Sequence, residues 1–293
     1  MMSRRLGHFI EFSREHGSPI RGIMYALASC LTFAEASDAL FSLIEADAIT
    51  RRPVLVRLLQ LADKSVTANQ IDILLRRLIL LSKKRPSLRV RVNAVLSQLW
   101  PHATLKMKRK IIETWKTDTL LDSKKRWLRA AADDKRFFNA KEILRYWRNS
   151  GNSRAAQVIA YNASPAFLNG VLAELLENCD EGWIVGRAAI RAGRFPPGFF
   201  YRLKQRLPAT YAYVCAKTKT PITHREAVAL AANERDSDDR SLILWSIGQL
   251  GIWTALEEIY KLGPDIAMRD RESLLERHGI KPDDQAARGS PDK

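Results

Sequence analysis

Between Arg51 and Ser150 the chain carries 25 Lys and Arg against 8 Asp and Glu, a local charge of +17. Residues 1–50 sum to −2 and residues 151–293 to +1, which together recover the whole-chain charge of +16. Cations at this density, with few acids to neutralise them, are suited to taking up the phosphates of a polyanion. Helical spacing indicates which ones face outward. Lys141, Arg145 and Arg148 recur at i, i+4 and i+7, opposite Ile143, Leu144, Tyr146 and Trp147. Lys106, Arg109, Lys110 and Lys116 oppose Met107, Ile111, Ile112 and Trp115. Arg76, Lys83 and Lys84 share one face of a third segment, and Lys124, Lys125 and Arg129 add to the segment that contains Trp127. The residues expected to meet phosphates are therefore Arg76, Lys83, Lys84, Lys106, Arg109, Lys110, Lys125, Arg129, Lys141, Arg145 and Arg148. A single stripe of this kind is ordinarily a solvated helix face; four in succession are not.

Trp100, Trp115, Trp127 and Trp147 lie in the same window and offer rings for base stacking, but Trp115 and Trp147 fall on the apolar arcs, where core packing is expected. Other chemistry finds little support. There is no P-loop, GxGxxG, HExxH or GxSxG sequence, so nucleotide-dependent and familiar hydrolytic mechanisms lose ground. His102 and His224 read as capping or surface residues. Cys30, Cys179 and Cys215 are far apart, without CxxC spacing, which implies neither a zinc site nor a disulfide framework and fits a reducing, cytoplasmic setting. No cofactor or metal is expected. Leu27-Ala28-Ser29-Cys30 has the form of a bacterial lipoprotein cleavage site, but Glu11, Glu15 and the short apolar stretch after Arg21 favour a buried helix thiol at Cys30. The longest uncharged run, Gly22 to Ala34, falls well short of the roughly 20 residues of a membrane span, so no membrane partner is expected.

The elements that must carry these side chains are short helices in close succession. Gly (14) and Pro (12) are sparse, Leu, Ala and Arg dominate, and no run alternates apolar and polar residues as a strand would. Ser18-Pro19 opens the first helix, and the pattern continues through Ala34–Ala46, Pro53–Ala62, Ala68–Leu81, Leu88–Trp100 and onward to Ile266–Arg277, about seventeen helices in all. Arg154-Ala155-Ala156-Gln157-Val158-Ile159-Ala160, Arg187-Ala188-Ala189-Ile190-Arg191-Ala192-Gly193 and Arg240-Ser241-Leu242-Ile243-Leu244-Trp245 each place an Arg before a small, apolar helix, with a second apolar helix after it. The last of these ends in Leu250-Gly251 and continues into Trp253-Thr254-Ala255-Leu256-Glu257-Glu258-Ile259, and this unit resembles the HEAT-repeat family. The resemblance is clearest from Ser153 to Gly263. It implies an all-α fold of helical hairpins stacked into a right-handed α-solenoid. On this reading residues 1–150 form a basic N-terminal part, 151–280 continue it as HEAT-like repeats, and 281–293 are a disordered polar tail.

These readings converge on a non-enzymatic helical-repeat protein that binds nucleic acid, DNA or RNA, or another polyanion through residues 51–150. The alternative is a protein-interaction scaffold whose basic half recruits an acidic protein partner and whose Phe195, Phe199, Phe200, Tyr211 and Tyr213 supply a contact patch, although buried packing suits most of those rings better. A minor alternative rests on class alone. The chain is similar in size and charge to bacterial HEAT-like alkylpurine DNA glycosylases, and Asp118, Asp122, Asp133 and Asp134 lie near Trp115 or Trp127, but their spacing singles out no catalytic residue.

Overall fold

The computed structural model describes residues 21–45 and 48–262. The expected Ser18-Pro19 helix start, the Ile266–Arg277 helix and the 281–293 tail lie outside the described residues. Within them the chain is all-helical, with sixteen α-helices and no strand. It divides into two compact units, 1–137 and 138–293. The 51–150 basic window is therefore shared between them.

The first unit holds α1 (Arg21–Ser29), α2 (Phe33–Leu43), α3 (Ala48–Lys64), α4 (Ala68–Lys84), α5 (Arg89–Leu99), α6 (Leu105–Thr117) and α7 (Leu121–Asp133). Threonine caps mark several starts. Thr32 with Glu35 and Thr67 with Gln70 form reciprocal capping boxes at α2 and α4, satisfying amides that have no partner inside the helix. Thr104 caps α6, and its own amide and hydroxyl are held by the buried carboxylate of Asp72 on α4, at 3.0 and 2.5 Å. Pro53 does not open its helix as expected but sits within α3, which begins at Ala48. Neighbours pack in sequence and again at the next helix but one: α4 meets α5 and α6, and α7 meets α5 and α6.

A polar chain runs through the core where α5, α6 and α7 converge. The Trp115 indole N–H donates to Asn93 Oδ1 at 3.0 Å, Asn93 Nδ2 donates to Ser123 Oγ at 2.8 Å, and the Ser123 hydroxyl donates to Asp118 at 2.7 Å. Arg89 closes it against Asp118 at 3.5 Å. The Trp115–Asn93 and Asn93–Ser123 links lie among buried side chains, where an unmet donor or acceptor is costly.

The second unit holds α8 (Ala140–Ser150), α9 (Ser153–Asn162), α10 (Pro165–Asn178), α11 (Gly182–Ala192), α12 (Phe199–Arg206), α13 (Pro208–Thr218), α14 (His224–Asn233), α15 (Ser237–Gln249) and α16 (Trp253–Leu262). Asn139 caps α8, and Gly151, at φ 62°, ends it, its backbone N–H donating to the Trp147 carbonyl. The odd-numbered helices form a contact series: α9 packs on α11, α11 on α13 and α13 on α15, each with its sequence partner beside it. Two glycines permit the closest of these approaches. A Cβ at Gly182 would stand 2.2 Å from Thr210 Oγ1, and one at Gly186 would stand 3.2 Å from Thr210 Cγ2. Phe195, Phe199, Phe200 and Tyr211 stack among themselves, Phe199 and Tyr211 being buried, so packing claims most of that aromatic group.

Asn93→Ala should lower stability by about 1–3 kcal/mol in urea unfolding, because it strands the buried Trp115 indole N–H and removes one of the two hydrogen bonds of the Ser123 hydroxyl, which keeps its bond to Asp118. Gly182→Ala should cost about 1–3 kcal/mol through overpacking, and Thr210→Ala in the same chain should recover much of that loss. Strict additivity in that double-mutant cycle would show that Gly182 and Thr210 do not constrain each other.

Candidate nucleic-acid interface

All eleven cations expected to meet phosphates are exposed, but they are not alike. On α4, Arg76, Lys83 and Lys84 make no ion pair among the described residues. The same holds for Lys106, Arg109 and Lys110 on α6 and for Lys125 on α7. These three helices belong to the first unit, with α6 packed against both α4 and α7. Arg129 stands 3.7 Å from Asp133, a solvent-exposed i, i+4 pair of small energetic weight. In the second unit, Lys141 and Arg145 on α8 are likewise without a carboxylate, whereas Arg148 grips Glu174 of α10 through two 2.6 Å bonds. That bidentate hydrogen bonding also pushes the Arg148 guanidinium above its usual pKa. Arg148 is thus a tie between helices rather than an available cation.

The remaining basic residues of the window are mostly engaged as well. Arg77 pairs with Asp38 at 3.3 Å, Arg85 with Glu45, Arg126 with Asp122 at 2.9 Å, and Arg136 with Asp134 at 2.7 Å. Others serve backbone carbonyls at or just past helix ends: Arg57 donates to Leu31 at 2.9 Å, Arg91 to Glu45, and Lys124 to Lys116. Burial lowers the Lys124 pKa, against the opposing pull of Asp118. The second unit repeats the device with Arg191 to Ala160 at 2.7 Å, Arg206 to Leu176, and Arg240 to Glu234. Charge counting along the sequence had no means of separating these staples from the cations left facing solvent.

The tryptophans sort cleanly. Trp115 and Trp147 are 2% and 3% exposed, as their apolar arcs implied, and Trp127 is buried too. Trp100 is half-buried, stacked on Trp115 at 5.7 Å with Phe137 at its edge. None of the four forms an open stacking platform. The acids near them are engaged: Asp118 by Arg89 and Ser123, Asp122 by Arg126, Asp133 by Arg129 and Asp134 by Arg136. Ile73 and Leu80, 59% and 57% exposed, lie along the same outer face of α4 as Arg76 and Lys83.

Cys179 and Cys215 are buried, and burial raises both thiol pKa values, that of Cys215 to about 11. Cys30, expected to be buried, is instead exposed just beyond α1. His224 bridges α14 to α16, with Nδ1 3.0 Å from Thr254 and Nε2 2.7 Å from Glu258. Among the described residues there is no group of three His, Cys, Asp or Glu arranged to hold a metal, and no helix long and apolar enough to cross a membrane.

The second unit carries a feature the sequence reading missed. A pocket of about 520 Å³ opens over the series α9, α11, α13 and α15, lined by Tyr161, Trp183, Arg187, Thr210, Tyr213 and Asp239 among others. Its aromatic members come from separate helices, each unremarkable alone. The available signal is that Trp183 and Arg187 sit at i, i+4 on the side of α11 opposite Ile184, Val185, Ala188 and Ala189, an aromatic where a polar residue is expected. No protein-family model matches this chain, and neither a curated protein nor a solved structure is significantly similar to it.

Replacing a staple should cost more than replacing a solvent-facing cation. Arg191→Met should lose about 1–2 kcal/mol of stability by leaving the Ala160 carbonyl unserved, while Arg145→Met and Lys141→Met leave the urea midpoint in place. Arg148→Glu, which sets two carboxylates face to face, should lower that midpoint. Equal midpoints for all four variants would dissolve the distinction.

Proposed function

We propose that the chain is a non-enzymatic helical-repeat protein, built in each unit from HEAT-like hairpins stacked as a solenoid, that binds nucleic acid through cations of its first unit. The repeated packing of each helix on its neighbour and its next neighbour but one favours the solenoid reading, since one hairpin leaves an apolar face for the next to cover. The observation that carries the binding assignment is the set Arg76, Lys83, Lys84, Lys106, Arg109, Lys110 and Lys125. These side chains are exposed and without acidic partners, while adjacent basic residues on the same helices are tied down. Holding seven like charges in solvent with no internal role raises self-repulsion, which a polyanion relieves. Lys141 and Arg145 of the second unit would add contacts of the same kind. Contact through phosphates implies low sequence specificity. Cysteines without disulfides accord with a reducing, cytoplasmic compartment.

Ile73 and Leu80 beside Arg76 and Lys83 favour one second reading, an acidic amphipathic protein segment laid on α4. Nuclease-resistant retention of a single protein partner would support it.

The deciding experiment is binding of the purified, nuclease-treated chain to labelled duplex DNA, single-stranded DNA and RNA across a salt series. Log affinity should fall steeply with log salt, with a slope corresponding to roughly five or more phosphate contacts. Changing Lys106, Arg109 and Lys110 to Glu together should weaken binding and flatten that slope without moving the unfolding midpoint. A slope near zero in the unaltered chain would overturn the assignment.

A further inference from the structure

We propose that the pocket over α9, α11, α13 and α15 holds one unstacked nucleobase, with its attached phosphate taken by Arg187. The inference deepens the nucleic-acid reading and rests on it for the source of the base. The pocket supplies an aromatic wall and a cationic side chain within one unit. Trp183 is half exposed, and its ring meets Tyr161 edge to face, at 6.4 Å and 60°. A planar ligand can stack on the indole while its rim meets the phenol. The volume of about 520 Å³ lies within the roughly 300–1,000 Å³ usual for small-ligand sites.

Charge decides between a cation and an anion as the occupant. An aromatic cluster alone would suit a quaternary ammonium, but Tyr161 and Tyr213 already carry cations over their rings, which leaves Trp183 as the open face. Arg187 lies 4.9 Å from the Tyr161 centroid, and Lys217 lies 4.8 Å from the Trp245 centroid and 5.7 Å from that of Tyr213. Neither cation has a carboxylate in ion-pair range among the described residues. Of the two acids on the rim, Asp180 is held by Arg206 at 2.5 Å, and Asp239 remains as an acceptor for a base-edge amine. A stacked π-system bearing a phosphate matches the half-exposed Trp183 ring with Arg187 beside it on the pocket wall. A base inside a duplex is covered on both faces, so the pocket selects a single-stranded or extruded nucleotide.

The test uses the full chain and two probes of equal length and phosphate charge: a single-stranded oligothymidylate and the corresponding abasic oligomer. The unaltered chain should bind the thymidylate about tenfold more tightly, the increment ordinarily brought by one stacked base. Trp183→Ala should abolish that ratio and leave abasic binding unchanged; Trp183→Phe should restore part of it. Equal affinity of the unaltered chain for both oligomers would overturn the pocket assignment while leaving phosphate binding intact. Should neither oligomer bind, the nucleic-acid reading fails, and titration with adenosine monophosphate, read by tryptophan fluorescence, decides the pocket alone. Saturable quenching lost in Trp183→Ala would then support a free nucleotide, and no response would end the proposal.

Discussion

Every α-helix ends with carbonyls that find no partner within it, and a chain made of short helices multiplies such ends. Here many are met by cationic side chains from other helices. Gly151 and Gly193 end α8 and α11 in the left-handed conformation, but elsewhere Arg57, Arg91, Lys124, Arg191, Arg206 and Arg240 reach carbonyls at or just past helix ends. A cation at that place satisfies an acceptor and opposes the negative end of the helix dipole in one contact. The composition follows in part from this constraint, since a protein that closes its helices with arginines must be rich in them.

The candidate binding surface is accordingly what remains after the architecture has taken its share. On α6, Lys116 sits beside Glu113 while Lys106, Arg109 and Lys110 are left over; on α7, Lys124 and Arg126 are engaged and Lys125 is not. Neutralisation happens locally, within a helix or to its packed neighbour, and the surplus is thereby sorted onto outward faces. Buried polarity is handled with equal thrift. Asn93 serves an indole and a hydroxyl from two different helices, which fixes how α5, α6 and α7 face one another more tightly than aliphatic contacts would.

The helices themselves were largely legible, because apolar periodicity and end signals agree. Ser164-Pro165 starts α10 and the span Gly182–Ala192 forms α11 as their residues suggest. Pro53 misled because proline is tolerated near a helix start without having to be the start itself, and α3 runs through it. The exposed character of the eleven cations was readable from helical spacing, but the commitment of Arg148 was not, since Glu174 lies on another helix and no local pattern links them. The pocket was harder still. Tyr161, Trp183 and Tyr213 are distributed over three helices, and only the odd-numbered packing series brings them to one pocket.

That packing series also bears on how the chain reaches its structure. Because the principal helix contacts join elements adjacent or next-but-one in sequence, the loops that must close before any contact is rewarded are short, and the entropic barrier to assembly is low. Among the described residues the principal helix pairings are all of this short range. Each hairpin can template the next as it leaves the ribosome, and opening in the native state should begin at the ends of a unit, where a helix has a neighbour on one side only.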